Sequence, residues 1–126
     1  MTPESFAKVF AAAFSAQDAG ALAGLLAEEA GVVSLTGGVA ESRAEAEALF
    51  AAEFAGTLAR ARLVTGKARL MPIGPGGAVL HQRFVVIGVM DEAGQEMPRL
   101  GAMLTTVLLA RAEGWRAVSL TFSVTA

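Results

Sequence analysis

The spacing of apolar residues changes along the chain. In the first part, apolar positions recur at steps of three and four, which is typical of amphipathic helices. Asp18 caps the second predicted helix and Gly31 closes it, while Ser42 and Glu45 form a capping box for the third. A short strand is predicted over residues 32–35. The pattern therefore predicts three N-terminal helices, over residues 3–16, 18–31 and 42–55.

From residue 58 onward the apolar period becomes two, which is typical of strands. Glycine and proline at 74–77 predict a turn, and the polar segments 91–96 and 112–114 predict two hairpin loops. These breaks divide the region into four strands, over residues 60–70, 78–90, 100–111 and 115–125. Helices followed by a contiguous antiparallel sheet predict an α+β fold, with residues 1–126 forming a single domain.

The strand over residues 100–111 is apolar on both of its faces. An antiparallel strand with one face in water normally alternates apolar and polar residues. The three helices can cover one face of the sheet, and a second copy of the chain is the simplest cover for the other. We therefore predict a homodimer that forms through the sheet.

Composition limits the classes of partner. Hydrophobic residues make up 54% of the 126 residues, yet charges interrupt every apolar run before the roughly 20 residues that a membrane helix needs. The net charge is −2 and the charges are scattered, which disfavours nucleic acid. The chain has no cysteine and one histidine, and no phosphate-binding glycine loop, so neither a metal nor a cofactor is predicted. We expect a cytoplasmic protein without a membrane partner.

Two segments carry a resemblance to a known superfamily. Residues 10–18, followed by an apolar and acidic stretch up to Gly37, resemble the opening helices of the nuclear transport factor 2-like (NTF2-like) superfamily. The hairpin at residues 111–116, with its glycine, tryptophan and arginine, resembles that superfamily's closing hairpin. The resemblance is closest to the small bacterial SnoaL-like and SgcJ/EcaC-like groups and to the domain of unknown function DUF4440.

This resemblance implies a cone, in which three N-terminal helices pack on a curved, mostly antiparallel sheet around an apolar pocket that opens at one end. Members include isomerases, cyclases, epoxide hydrolases, dehydratases and non-catalytic assembly domains, so the fold does not settle the function. We expect a small apolar or aromatic ligand. The residues expected to contact it are Phe10, Phe14, Phe54, Trp115, Leu120 and Phe122.

Catalytic candidates are few. Aligned on Asp18, the resemblance to ketosteroid isomerases puts their carboxylate base at Ser34 and their tyrosine at Phe10, and neither residue can perform that chemistry. His81 is the only histidine, and Arg83 shares its strand face. His81 is the candidate general base, with Arg83 or Ser34 as polar partners. The simpler interpretation, a histidine and an arginine at the surface, is favoured.

The strand that begins near residue 60 carries an excess of cations, at Arg60, Arg62, Lys67 and Arg69. They indicate either a charged edge strand or a basic lip that attracts acidic ligands. Three hypotheses for function remain open: a binding protein without strong acid–base chemistry, a SnoaL-like isomerase, cyclase or hydrolase, and a dimeric scaffold. A titratable group inside the pocket would favour the enzyme, and an interior filled by its own side chains would favour the scaffold.

Overall fold

The computed structural model describes residues 1–125, and the predicted α+β class is confirmed. A single 3₁₀ turn, Pro3–Ser5, leads into the first helix. The elements are α1 (Phe6–Ser15), α2 (Ala19–Ala23), β1 (Leu26–Val33), β2 (Val39–Ala40), α3 (Arg43–Phe54), β3 (Arg62–Pro72), β4 (Gly77–Ile87), β5 (Leu100–Arg111) and β6 (Gly114–Val124). The four long strands lie where the two-residue period predicts them. No helix within residues 1–125 is long and apolar enough to span a bilayer.

One predicted helix is wrong over most of its length. Asp18 does cap α2, since its carboxylate accepts a hydrogen bond from the Ala21 backbone N–H at 2.9 Å, but that helix ends at Ala23. The chain then becomes β1, in which Leu26 pairs with Ala117 of β6. The apolar residues from position 25 onward fit a buried strand as well as a helix face, and pairing with β6 decides between them.

All six strands form one sheet, in the order β2-β1-β6-β5-β4-β3. Neighbouring strands are antiparallel except for β1 and β6, which run parallel. The mostly antiparallel sheet is therefore confirmed, with its first strand inserted beside its last. Gly31, predicted to close a helix, pairs instead with Ser119 inside this parallel ladder.

The two faces of the sheet differ in burial, as β5 shows. Its inner residues, which the helices cover, are buried: Ala102, Leu104, Thr106 and Leu108. Its outer residues are partly exposed: Met103, Thr105, Val107 and Leu109. The sequence left open which face the helices cover, and the burial pattern identifies it.

Phenylalanine rings fill the space between α1 and the sheet. Phe10 stacks along α1 and meets Phe122 of β6 edge to face, with ring centroids 5.5 Å apart. Phe14 makes a similar contact with Phe54, at 5.3 Å. Phe84 of β4 contacts both Phe10 and Phe122. Edge-to-face pairs of this kind stabilise a core beyond the area that they bury.

Candidate functional site

An apolar cleft of about 230 Å³ lies between the N-terminal segment and one end of the inner sheet face. Its apolar wall consists of Leu70 and Pro72 of β3, Ala78 of β4 and Trp115 of β6. The N-terminal residues Thr2, Pro3 and Glu4 form the opposite wall, and the β3–β4 turn closes one side. The cleft is open to solvent and Trp115 is partly exposed in it.

Local sequence fixes both sides of the cleft. Thr2 and Ser5 form a reciprocal cap in which each side chain accepts a hydrogen bond from the other residue's backbone N–H, and Pro3 starts the turn. On the other side, Ile73 N–H donates to the Gly77 carbonyl at 2.8 Å. A Cβ at Gly77 would lie 2.7 Å from the Ile73 carbonyl oxygen, so this turn requires glycine.

The lining of the cleft is poor in reactive groups. Glu4 is the titratable residue among its lining side chains, and Glu4 is exposed. The Thr2 hydroxyl is engaged with Ser5. The cleft therefore offers apolar contact and an indole ring, rather than the buried acid or base that proton transfer requires.

The six predicted ligand-contacting residues are divided between two places. Phe10, Phe14, Leu120 and Phe122 are buried in the core, where three of them belong to the phenylalanine cluster. Phe54 packs at the edge of the core. Trp115 lines the apolar cleft.

The predicted catalytic residues are also separated. His81 and Arg83 lie on the outer sheet face and line a groove of about 220 Å³ together with Lys67 and Arg69. Ser34 follows β1 on the helix side of the molecule, where it is 2% exposed and contacts α3. The structure thus brings His81 and Arg83 together and does not bring Ser34 to them.

Ser34 instead belongs to a buried polar cluster around Glu53 of α3. The Ser34 hydroxyl donates to the Glu53 carboxylate at 2.7 Å, and the Thr36 hydroxyl donates to the same oxygen. The Gly38 backbone N–H in turn donates to the Ser34 oxygen at 3.0 Å. A buried carboxylate needs such partners, because burial without hydrogen bonds is costly.

Sequence reasoning missed Glu53, although a signal was present. Ala46 and Phe50 are the buried residues of α3, and Glu53 follows them at a step of three, on the same helix face. A glutamate on the apolar face of a helix, opposite a turn containing Ser34 and Thr36, indicates a buried polar contact.

A charged groove of about 500 Å³ lies near the β5–β6 turn, where Glu28 and Glu29 of β1 and Arg43 of α3 also line it. Arg111 donates to Glu29 at 3.3 Å, and Arg43 donates to Glu28 at 3.3 Å. The pKa of the Glu29 carboxyl lies below its ordinary value because its own backbone N–H donates to it and Arg111 pairs with it. Since each arginine has a carboxylate partner, this groove has little unpaired positive charge.

Comparison with known proteins finds similar structures but no similar sequence among families or characterised proteins. No family model matches the sequence, and no characterised protein matches it by sequence. An uncharacterised protein from Caulobacter vibrioides with a cystatin-like fold superposes with a TM-score of 0.87 at 15% identity, over 98% of this chain and 87% of that one. An NTF2-like protein from Novosphingobium aromaticivorans with a cystatin-like fold gives 0.76 at 21% identity, over 97% and 78%.

The chain has the NTF2-like fold. A third structure, from Novosphingobium aromaticivorans and provisionally named an aromatic ring hydroxylase, matches with a TM-score of 0.78 at 14% identity, over 98% of this chain and 86% of that one. At these identities the likeness shows the fold alone. Within this NTF2-like fold, phenylalanine side chains occupy the interior, and the apolar cleft opens at one end of the sheet.

Proposed function

We propose that this protein is a small-molecule-binding domain of the SnoaL-like kind that holds an apolar or aromatic molecule in the cleft beside Trp115. The observation that carries the proposal is the apolar wall of Leu70, Pro72, Ala78 and Trp115 facing the fixed N-terminal segment. Concave, mostly apolar sites with few polar groups are the usual places where proteins bind small molecules.

The volume of the cleft limits the size of the ligand. Typical sites for drug-sized ligands start at about 300 Å³, and this cleft measures about 230 Å³. A closed apolar cavity of roughly 150 Å³ is enough to hold benzene. The cleft therefore suits a molecule with a single ring, whose face or edge contacts the indole of Trp115.

Binding without acid–base chemistry fits the cleft better than catalysis. His81, the candidate base of the enzyme hypothesis, lies on the outer sheet face, whereas the cleft lies at the inner face. An enzyme that used His81 would have to hold its substrate on the outer face. The enzyme hypothesis therefore requires a second site, and the binding hypothesis does not.

The test is a titration with 4-fluorophenol, followed by fluorine NMR of the probe and by the emission of Trp115, the only tryptophan. We expect saturable binding to the native protein and at least fivefold weaker binding to Trp115→Ala, measured by fluorine NMR. Leu109→Ala, on the outer face, is the control and should bind as the native protein does. Equal binding by Trp115→Ala would contradict the proposal.

A second candidate function, a dimeric scaffold, is favoured by the packed phenylalanine interior. The outer sheet face supports it with a row of apolar residues on adjacent strands, Met71, Val79 and Val107. We propose that a second copy of the chain covers this row. Light scattering should give a dimer at micromolar concentration, and Val107→Lys should shift it towards monomer. A native protein that stays monomeric would contradict this proposal.

A further inference from the structure

The outer face of β3 and β4 carries a groove whose lining is cationic. Lys67, Arg69, His81 and Arg83 line it, with Ala68 and Met103. Three of the chain's ten lysines and arginines thus share one concavity of about 220 Å³, in a protein whose net charge is −2. We propose that this basic groove binds a small dianionic oxyanion of the phosphate class, independently of the apolar cleft.

Strand register places basic side chains of β3 opposite basic side chains of β4. Arg69 pairs directly with His81 across the β3–β4 ladder. One step along, Thr65 pairs with Phe84 and Ala68 pairs with Gln82, so Gly66 and Lys67 both lie opposite Arg83. This extra residue is a β-bulge, and Lys67 and Arg83, which face each other across the two strands, line the same groove. Like charges directly opposite each other destabilise a sheet.

The bulge is held in place by a buried side chain. Gln82 is 2% exposed, and its amide donates to the carbonyls of Gly66 at 2.9 Å, Lys67 at 3.3 Å and Arg83 at 2.9 Å. A Cβ at residue 66 would lie 3.2 Å from the Arg83 carbonyl oxygen, which is a tight contact, so glycine favours this close approach of the two strands. The sequence therefore maintains a backbone that holds the cations together.

Within residues 1–125, the four basic side chains that line the groove form no ion pair and no hydrogen bond. The ion pairs of that region join Arg43 to Glu28 and Arg111 to Glu29, at other places on the surface. An anion bound between the basic residues of β3 and those of β4 would reduce the repulsion between their positive charges. It would also contact Arg69 and Arg83, whose planar guanidinium groups match the geometry of phosphate oxygens. Thr105, the neighbour of His81 on β5, adds a partly exposed hydroxyl to the same face.

The experiment is a titration of nitrogen-15-labelled protein with sodium phosphate, against sodium chloride of equal ionic strength. We expect saturable shifts at the amides of residues 67–69 and 81–83 with phosphate only. The double variant Arg69→Gln/Arg83→Gln should weaken binding at least tenfold. Both side chains are exposed, and a dispersed spectrum verifies that the variant is folded.

Charge-matched and ligand-matched controls make the result decisive. Arg60→Gln/Arg99→Gln removes the same charge from exposed positions outside the groove and should bind phosphate within twofold of the native protein. Acetate, with one negative charge, should bind at least tenfold more weakly than phosphate. Equal losses in the two double variants, equal shifts with chloride, or equal affinity for acetate would overturn the proposal. None of these outcomes bears on 4-fluorophenol in the apolar cleft.

Discussion

The hydroxyl of Ser34 and the carboxylate of Glu53 share a 2.7 Å hydrogen bond that joins the end of β1 to the last turns of α3. Thr36 adds a second hydroxyl donor to the carboxylate. The cluster thereby holds the turn after β1 against the helix. Ser34 is the residue at which a superfamily resemblance placed a catalytic base, and here it serves as a buried donor.

Glu53→Ala should destabilise the protein by about 1–3 kcal/mol, because it leaves the buried Ser34 hydroxyl without its acceptor. Urea unfolding followed by circular dichroism measures the free energy of unfolding. Glu47→Ala, an exposed change of the same charge on the same helix, is the control and should cost less than half as much. Equal losses in both variants would show that the buried hydrogen bonds contribute little.

Gly88 and Gly94 have nearly the same backbone angle φ but different surroundings. Replacing each by alanine therefore distinguishes the cost of backbone strain from the cost of a steric clash. Gly88 has φ +79° and Gly94 has φ +78°. A Cβ at Gly88 would lie 2.2 Å from the Arg60 carbonyl oxygen, whereas one at Gly94 meets nothing within 4 Å. Gly94→Ala should cost about 1–2 kcal/mol from the left-handed backbone alone.

Gly88→Ala should cost clearly more than Gly94→Ala, because the backbone of Arg60 has to move. The difference between the free energies of unfolding of the two variants gives the cost of the steric clash with Arg60. Equal stability of the two variants would contradict a close approach of residue 88 to the Arg60 backbone.

The long strands could be predicted from sequence because their signals are local. Alternation, the turn at 74–77 and the turn near Gly114 fix β3 to β6 to within a few residues. The secondary structure of residues 26–31 could not be predicted from local signals. Their structure depends on pairing with β6, a strand near the other end of the chain.

For the candidate site residues, too, the features with a local sequence signal could be predicted and those that depend on tertiary contacts could not. That His81 and Arg83 are neighbours follows from the two-residue period, and the structure places them in one groove. Burial of Glu53 and the convergence of Lys67 with Arg83 depend on a tertiary contact and on a bulge, respectively. The spacing of Glu53 from Phe50 places it on the buried face of α3, but the bulge has no clear signature in a single sequence.

Thr106 tests the hydrogen bonding of the inner sheet face. It is 1% exposed, and its hydroxyl donates to the Ser119 carbonyl at 2.8 Å. Thr106→Val keeps the shape and removes the donor, so it should cost about 1 kcal/mol. Thr105→Val, at the partly exposed neighbouring position, should change the free energy of unfolding by less. A stabilised Thr106→Val variant would contradict this assignment.

Glu29 should titrate below its ordinary pKa of 4.5, since its own backbone N–H and then Arg111 favour the ionised form. The resulting stabilisation is present above the unfolded-state pKa and is lost as the pH falls through the lowered folded-state pKa. Carbon-13 NMR of the Glu29 carboxyl over a pH titration measures this pKa. Arg111→Gln should raise this pKa part of the way and Arg99→Gln should leave it unchanged. Equal responses to the two changes would rule out the specific pair.

Phe10 tests whether the interior is packed or open. Its ring contacts four other phenylalanines, so Phe10→Ala should destabilise the protein by about 3–5 kcal/mol. Val9→Ala, at an exposed position on the same helix, should cost far less. Thermal melts of the two variants give the comparison. A loss below 1 kcal/mol for Phe10→Ala would point to an interior with room for a ligand.

The parallel pairing of β1 with β6 has a consequence for biosynthesis. β1 and β2 leave the ribosome well before β6, and the place of β1 in the sheet is beside β6. Until then, the apolar side chains of β1 lack their permanent neighbour, and pairings distant in sequence form slowly. The nascent chain should therefore complete its sheet only after β6 has left the ribosome, and the period before that is when β1 most depends on protection from aggregation.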